Sequence, residues 1–347
     1  QVRDSITYVA QAYVAAGYRA PKPDKGRGGT SQIDIYVEDL GAGIYGYCTT
    51  DQRLKPPTYD VWAYCVVDND YAGFPTGTPL QNLQVTAAHE FFHAVQFAYD
   101  INEDTWFTEA TATWAEDELY DDVNDSRQYL KYSPITRPNT SMDKFGGLFH
   151  YGTWSFFRFL TERYPAEKGV LPKLVLKMFK YADSSKGPRR NRYSTQAIDK
   201  ALRKQHTTIE EAFALFSDAN RRTHSEYEEG MALNYPVKKL SGEKKLGRKG
   251  AHKTFNAQLN HLTSATYRYN SKGLDSKKSK LRLVFDMAPK SAGSRAVVSV
   301  YKTSGTVTSK TVRLSGRGNA ALRVKFSSEM VTAVEVTLVN ASTRFSQ

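Results

Sequence analysis

Along the 347 residues of this chain, the spacing of apolar positions changes character several times. Ile6, Val9, Ala10, Tyr13 and Val14 recur at helical spacing ahead of Gly17, which predicts a helix within residues 1–20. Residues 21–31, PKPDKGRGGTS, are rich in Pro and Gly and read as a loop. Alternation through Ile33-Asp34-Ile35-Tyr36-Val37, with apolar stretches at 44–49 and 61–67, predicts three strands. Residues 84–97 form a mostly apolar helix without Gly or Pro, and residues 106–116 form a second helix past a turn at 100–104. A third helix is expected at 153–164, apolar at Trp154, Phe156, Phe157, Phe159 and Leu160. Further helices are expected at 170–181, 194–205 and 208–225, the last opened by Thr207 or Thr208 before Glu210 and Glu211.

Beyond Tyr235-Pro236 the pattern becomes short alternating stretches at 281–285, 296–301, 311–314, 321–326 and 331–339. Turn residues separate them, as in a β-sandwich. The whole is therefore an α+β chain. Residues 1–235 form a mainly helical domain with a small N-terminal sheet, a basic linker covers 238–253, and residues 236–347 form a β-sandwich domain.

Charge follows the same division. The net charge is +12, but residues 236–347 hold 22 Lys and Arg against 5 Asp and Glu, while residues 1–235 hold 26 against 31. A basic module attached to a slightly acidic one suits an anionic cell-surface polymer. No nucleic acid is expected, because the module carries no recognisable nucleic-acid motif. Hydrophobic residues make up 40 % of the chain, enough for a packed core. No apolar run approaches the ~20 residues that a membrane-spanning helix needs, so no transmembrane segment is expected. Gln1-Val2-Arg3-Asp4 is polar and does not read as a signal peptide, and a first residue other than Met reads as a processed or trimmed chain.

The candidate chemistry lies at His89-Glu90-Phe91-Phe92-His93. Residues four apart share one helix face, so His89 and His93 can aim two imidazoles at one point. Zinc takes such nitrogens in a tetrahedral set with one position left open, and Glu90 stands beside the first ligand as a general base. Burying two His and a Glu in an apolar helix is costly unless they are paired or hold a metal. A third ligand is expected from the next helix. Glu109 follows the turn closely and has small neighbours in Ala110 and Ala112; Glu116 lies two turns further on the same face. Glu109 is favoured as the ligand and Glu116 as a support that orients a histidine, with the reverse left open.

Asp68-Asn69-Asp70-Tyr71-Ala72-Gly73 lacks the spacing of a calcium loop and reads as a turn. Asp121, Asp122 and Asp125 form an acidic patch that could bind a cation but reads first as a solvated loop, residues 184–192 read as an exposed basic loop open to proteases, and His252 and His261 as surface residues.

HEFFHAVQFAYD followed by WFTEATATWAEDE resembles the gluzincin metalloproteases, and more closely a family of secreted bacterial metalloproteases with an AHEFFHA helix. The likeness extends to residues 33–48, 65–71 and 150–164. It implies a zincin-like catalytic domain and a secreted, zinc-dependent endopeptidase. In that case His89, His93 and Glu109 hold Zn²⁺, and Glu90 activates the water. In gluzincins a Tyr or His on a later helix stabilises the oxyanion; His150 and Tyr151 stand in that order here, with Tyr151 favoured. Export of the family favours a Cys48–Cys65 disulfide. An edge strand above the active helix is expected to hold an extended peptide, and it is one of the three predicted strands. An aminopeptidase would need acidic residues for the free amine, and no motif for them is visible. The alternative from another class is a non-catalytic secreted binding protein whose basic β-sandwich holds an anionic surface or polymer.

Overall fold

The computed structural model describes residues 1–41, 43–164, 171–247 and 251–343. The chain divides into two compact units: Gln1–Tyr132 with Phe145–His206, and Ser133–Lys144 with Thr207–Gln347. Helices dominate the first unit and sheets the second.

The first unit runs α1 (Val2–Ala15), β1 (Asp34–Glu38), β2 (Gly46–Thr49), β3 (Tyr64–Asp68), α2 (Pro79–Phe97), α3 (Thr105–Leu119), α4 (Phe149–Gly152), α5 (Trp154–Arg163), α6 (Lys173–Tyr181) and α7 (Thr195–Arg203). Its centre is α2, in which every residue from Val85 to Gln96 is buried. Such a helix is stable only if neighbours cover all its faces. Tyr13 of α1 donates its hydroxyl to the Ala88 carbonyl at 2.6 Å, and Phe92 packs against Tyr13, Tyr18 and Phe179. The sheet and α3 cover the remaining sides. The helix begins at Pro79, five residues earlier than its apolar period. Thr78 and Gln81 cap each other's backbone there, and Pro79 occupies the first turn.

The sheet has the order β1-β3-β2, with β1 parallel and β2 antiparallel to β3. Cys48 lies directly opposite Cys65, and a disulfide joins them. The turn after β3 is closed by Asp68, whose carboxylate accepts from the backbone N–H groups of Leu40, Asp70 and Tyr71.

The second unit contains α8 (Ile209–Ala219), α9 (Thr223–Glu226), β4 (Gly242–Leu246), β5 (Thr263–Ser271), β6 (Lys280–Asp286), β7 (Ser294–Lys302), β8 (Val307–Thr311), β9 (Asn319–Lys325) and β10 (Val331–Asn340). Five strands form one sheet in the order β4-β5-β10-β7-β8, while β6 and β9 pair as a ribbon. Alternation sorts the two faces of the sheet. Ala296, Val298, Val334 and Val336 join Leu283 and Phe285 of the ribbon in an apolar core. Ser299, Glu335 and Thr337 point the other way, toward α8.

Several sequence expectations shift. The compact units do not follow the composition change at residue 236: α8 packs on β7 and β10 and belongs with the sheets. The helix expected at 208–225 breaks at Asn220–Arg222 into α8 and α9. The expected linker at 238–253 includes β4, which pairs with β5, and Lys238 is wholly buried; residues 248–250 lie outside the described residues. The strand expected at 311–314 lies earlier, at β8, and β5 was not expected at all. The expected start of a helix at 170 lies outside the described residues, and α6 is seen from Lys173. The loop at 184–192 is partly tied down: Ser184 is buried and Asn191 donates to Asp100. His261 is half-buried and pairs with Asp143 at 2.8 Å. Among the described residues, no helix is long and apolar enough to cross a membrane.

Candidate metal centre

Three side chains from α2 and α3 converge. His89 and His93 sit one helical turn apart, with ring centroids 4.7 Å apart. Glu109 reaches across from α3, its Oε2 lying 3.2 Å from His89 Nε2 and 3.6 Å from His93 Nε2. One ligand atom from each residue lies within 4.8 Å of the others, so the group could hold a metal ion.

The outward ring nitrogens decide which way the lone pairs face. Gln96 donates its amide to the Thr108 carbonyl and to Thr111 Oγ1, and Thr111 spends its own proton on the Phe107 carbonyl. Gln96 therefore turns its oxygen toward His93 Nδ1, 2.7 Å away, and that nitrogen must donate. His93 Nε2 therefore faces Glu109, donating to it when the ring is charged and offering a lone pair when the ring is neutral. On the other ring, His89 Nδ1 meets Glu116 Oε1 at 2.5 Å. Both imidazoles are thus held from behind by an acceptor, as metal-ligating histidines commonly are.

Glu109 and Glu116 accordingly stand in different places. Glu109 faces the two Nε2 atoms, and Glu116 stands behind His89. Gln96 was missed in the sequence. It lies three residues after His93 on the same helix face, which was the available signal, but glutamine is too common on helices for that spacing to stand out.

Burial and charge set the protonation states. Burial lowers the pKa of His89, but hydrogen bonds to Glu109 and Glu116 outweigh it and the ring is raised. His93 is also raised: Glu109 more than offsets burial. Burial pushes Glu109 up, yet the two histidines reverse this and hold it below the usual carboxylate range. Glu116 is raised to about 7 by burial, which its bond to His89 offsets only in part. Glu90 is raised mainly by burial, and its Oε2 is buried without a hydrogen-bond partner. A buried carboxylate with one oxygen unspent is costly as structure but useful as a proton acceptor.

A cleft of about 410 Å³ opens beside Glu90. Residues 43–46 line it together with His89, Glu90, Tyr129 and Tyr151. Gly46 is required here: a Cβ would come within 2.8 Å of the Val66 carbonyl and 3.0 Å of Glu90 Cγ. Of the two edge strands, β2 borders the cleft, and β1 lies on the far side of β3. Tyr151 lines the cleft, 5.9 Å from the His89 ring. His150 is buried against Phe145, and its Nδ1 accepts the Gly146 N–H at 3.0 Å. Burial lowers the pKa of that ring.

Asp125 differs from its sequence reading. It is only 8 % exposed and forms part of the cleft wall, whereas a solvated patch was expected. Cys48 and Cys65 do not take part in the cluster of possible metal ligands, being joined to each other. No protein-family model matches the chain, and no curated protein matches it.

Proposed function

We propose that the first unit is a zinc-dependent endopeptidase and that the protein acts outside the cell. The observation that carries this reading is the paired orientation of His89 and His93. Each ring nitrogen facing Glu109 is backed by an acceptor on the opposite nitrogen. The donor set of two imidazoles and one carboxylate suits zinc, with one position left open. When bound, such an ion supplies Lewis-acid polarisation of the substrate carbonyl.

The remaining chemistry belongs to the chain. Glu90 takes a proton from the attacking water and returns it to the leaving amine, a task suited to a carboxyl whose pKa is raised by burial. Tyr151 offers its hydroxyl to the developing oxyanion from the cleft wall. His150 is the weaker candidate, since one ring nitrogen is already spent on Gly146. The free edge of β2 takes the substrate as an added antiparallel strand, which brings a peptide bond past Glu90. The disulfide, placed between β2 and β3, is compatible with an extracellular setting. The test is zinc content and peptide hydrolysis in the protein and in Glu90→Ala.

The second unit supports a separate reading, as a binder of an anionic polymer. On the outer face of the ribbon Lys280 stands opposite Lys325 and Arg282 opposite Arg323, all four exposed. Like charges directly opposite each other cost stability, and a polyanion would relieve that cost.

A further inference from the structure

Asp125 is a buried carboxylate in the cleft wall with no cationic partner among the described residues. Its hydrogen bonds come from neutral donors: Thr76 Oγ1 at 2.7 Å, and Gln128 Nε2 at 2.9 Å to one oxygen and 2.8 Å to the other. Thr76 spends its proton on Asp125, so the Tyr45 hydroxyl, 3.3 Å away, must donate to Thr76. The chain of protons Tyr45 to Thr76 to Asp125 ends on the carboxylate and fixes its position. Two donors do not exhaust a carboxylate, which accepts about four hydrogen bonds.

The surroundings sharpen this. Among the described residues no Lys or Arg lines the cleft, while Glu90, Glu116 and Asp125 all do. His89 partners Glu116, and Glu90 serves the reaction, which leaves Asp125 uncommitted. The cleft is also lined by two aromatic pairs, Tyr45 with Phe74 at 4.1 Å between centroids and Tyr129 with Tyr151 at 5.0 Å. Aromatic faces beside a buried carboxylate suit an aliphatic stem that ends in a cation. A volume of about 410 Å³ holds one long side chain.

We infer that Asp125 makes this cleft a subsite for an arginine or lysine side chain of the peptide substrate. The inference rests on the endopeptidase reading for its biology, but the cation site itself does not. Asp125 acts on specificity and takes no part in bond breaking. The competing occupant is a free α-amine, as an aminopeptidase would hold.

The test uses the full chain in two arms. In the first, metal-free protein is titrated calorimetrically with a blocked peptide, acetyl-Ala-Arg-Ala-amide, and with the same peptide carrying citrulline, the neutral isostere of arginine. Arginine should bind at least tenfold more tightly. Asp125→Asn should bring the ratio close to one, and Asp125→Glu should restore part of it. Equal binding by the unmodified protein overturns the inference, and this needs no variant, so poor folding of Asp125→Asn cannot rescue it. Binding of leucine amide, with its free amine, in place of the blocked peptide would also overturn it. The second arm measures cleavage of blocked fluorogenic peptides by the zinc-loaded protein. Cleavage without a basic preference keeps the endopeptidase and sinks the subsite. Arginine-selective binding with no cleavage of any peptide keeps the subsite and sinks the endopeptidase.

Discussion

Each unit buries a cluster of charged residues, and the two clusters are built on opposite principles. Between α8 and the sheet of the second unit, the carboxylates of Glu335 and Asp218 are closed, although Glu210 Oε2 and Arg295 Nε are buried without a hydrogen-bond partner. Glu335 is fully buried and accepts from Arg221, Arg268 and Tyr301. Asp218 accepts from Ser299, Ser309, Thr337 and Arg222. Lys238 donates to Ser264 and to the Ser217 carbonyl. In the first unit the cluster on α2 and α3 is held tightly from outside, by Glu116 and Gln96, and left open inside. Glu90 Oε2 has no partner, and two ring nitrogens converge on one carboxylate. A closed polar layer serves the fold; an open one costs stability and is retained for what enters it.

The comparison breaks if the two clusters respond alike to loss of a carboxylate. Glu335→Ala strands two arginines in a buried layer and should cost about 3–5 kcal/mol in urea unfolding. Glu109→Gln in metal-free protein loses its pairing with His89 and His93 but strands no buried arginine, so it should cost clearly less, and it should abolish the rise in melting temperature that zinc gives the unaltered protein. A comparable loss from both variants would show that the first cluster is structural too.

Acidity separates them next. Burial depresses Lys238 from 10.5 to about 7, with Asp218 only partly opposing it. The unfolded chain therefore takes up this proton first as pH falls. The stability that Lys238 confers on the second unit is complete above pH 10.5, falls between 10.5 and about 7, and is level below that. Lys238→Met should flatten the profile in denaturation measured across that range.

Smaller effects come from the outer supports and the surface. Glu116→Gln and Gln96→Leu should each weaken zinc binding by about 10–100-fold, read by competition with a chelator, without removing a ligand. On the exposed ribbon, Arg323→Glu turns a like-charge pair with Arg282 into an opposite one and should stabilise the second unit by about 0.2–1 kcal/mol. The same variant should weaken retention on an anionic resin at low salt.

The sequence revealed the open cluster better than the closed one. Two histidines four apart on an apolar helix announce their chemistry through the helical period alone, and Glu109 follows from the turn between α2 and α3. Asp125 was hidden because an acidic run reads as solvated until the loop holding Thr76 is seen to cover it. The closed layer obscured the second unit more thoroughly. The strand β5, TSATYRYNS, alternates Ala265, Tyr267 and Tyr269 with the polar Thr266 and Arg268, so its apolar face carries no aliphatic residue larger than Ala and its period is faint. The helix α8 showed its period but not its partner, and was grouped with the helices before it in place of the sheet after it.

The central claim is that His89, His93 and Glu109 hold a metal against which Glu90 works. The direct measurement is zinc content together with casein hydrolysis, for the protein and for Glu90→Ala. The account predicts about one zinc per chain in both. Hydrolysis should be blocked by a chelator in the first and fall by about 10²–10⁴-fold in the second. Carefully purified protein that binds no metal, or a Glu90→Ala variant that hydrolyses casein at an unchanged rate, would contradict it.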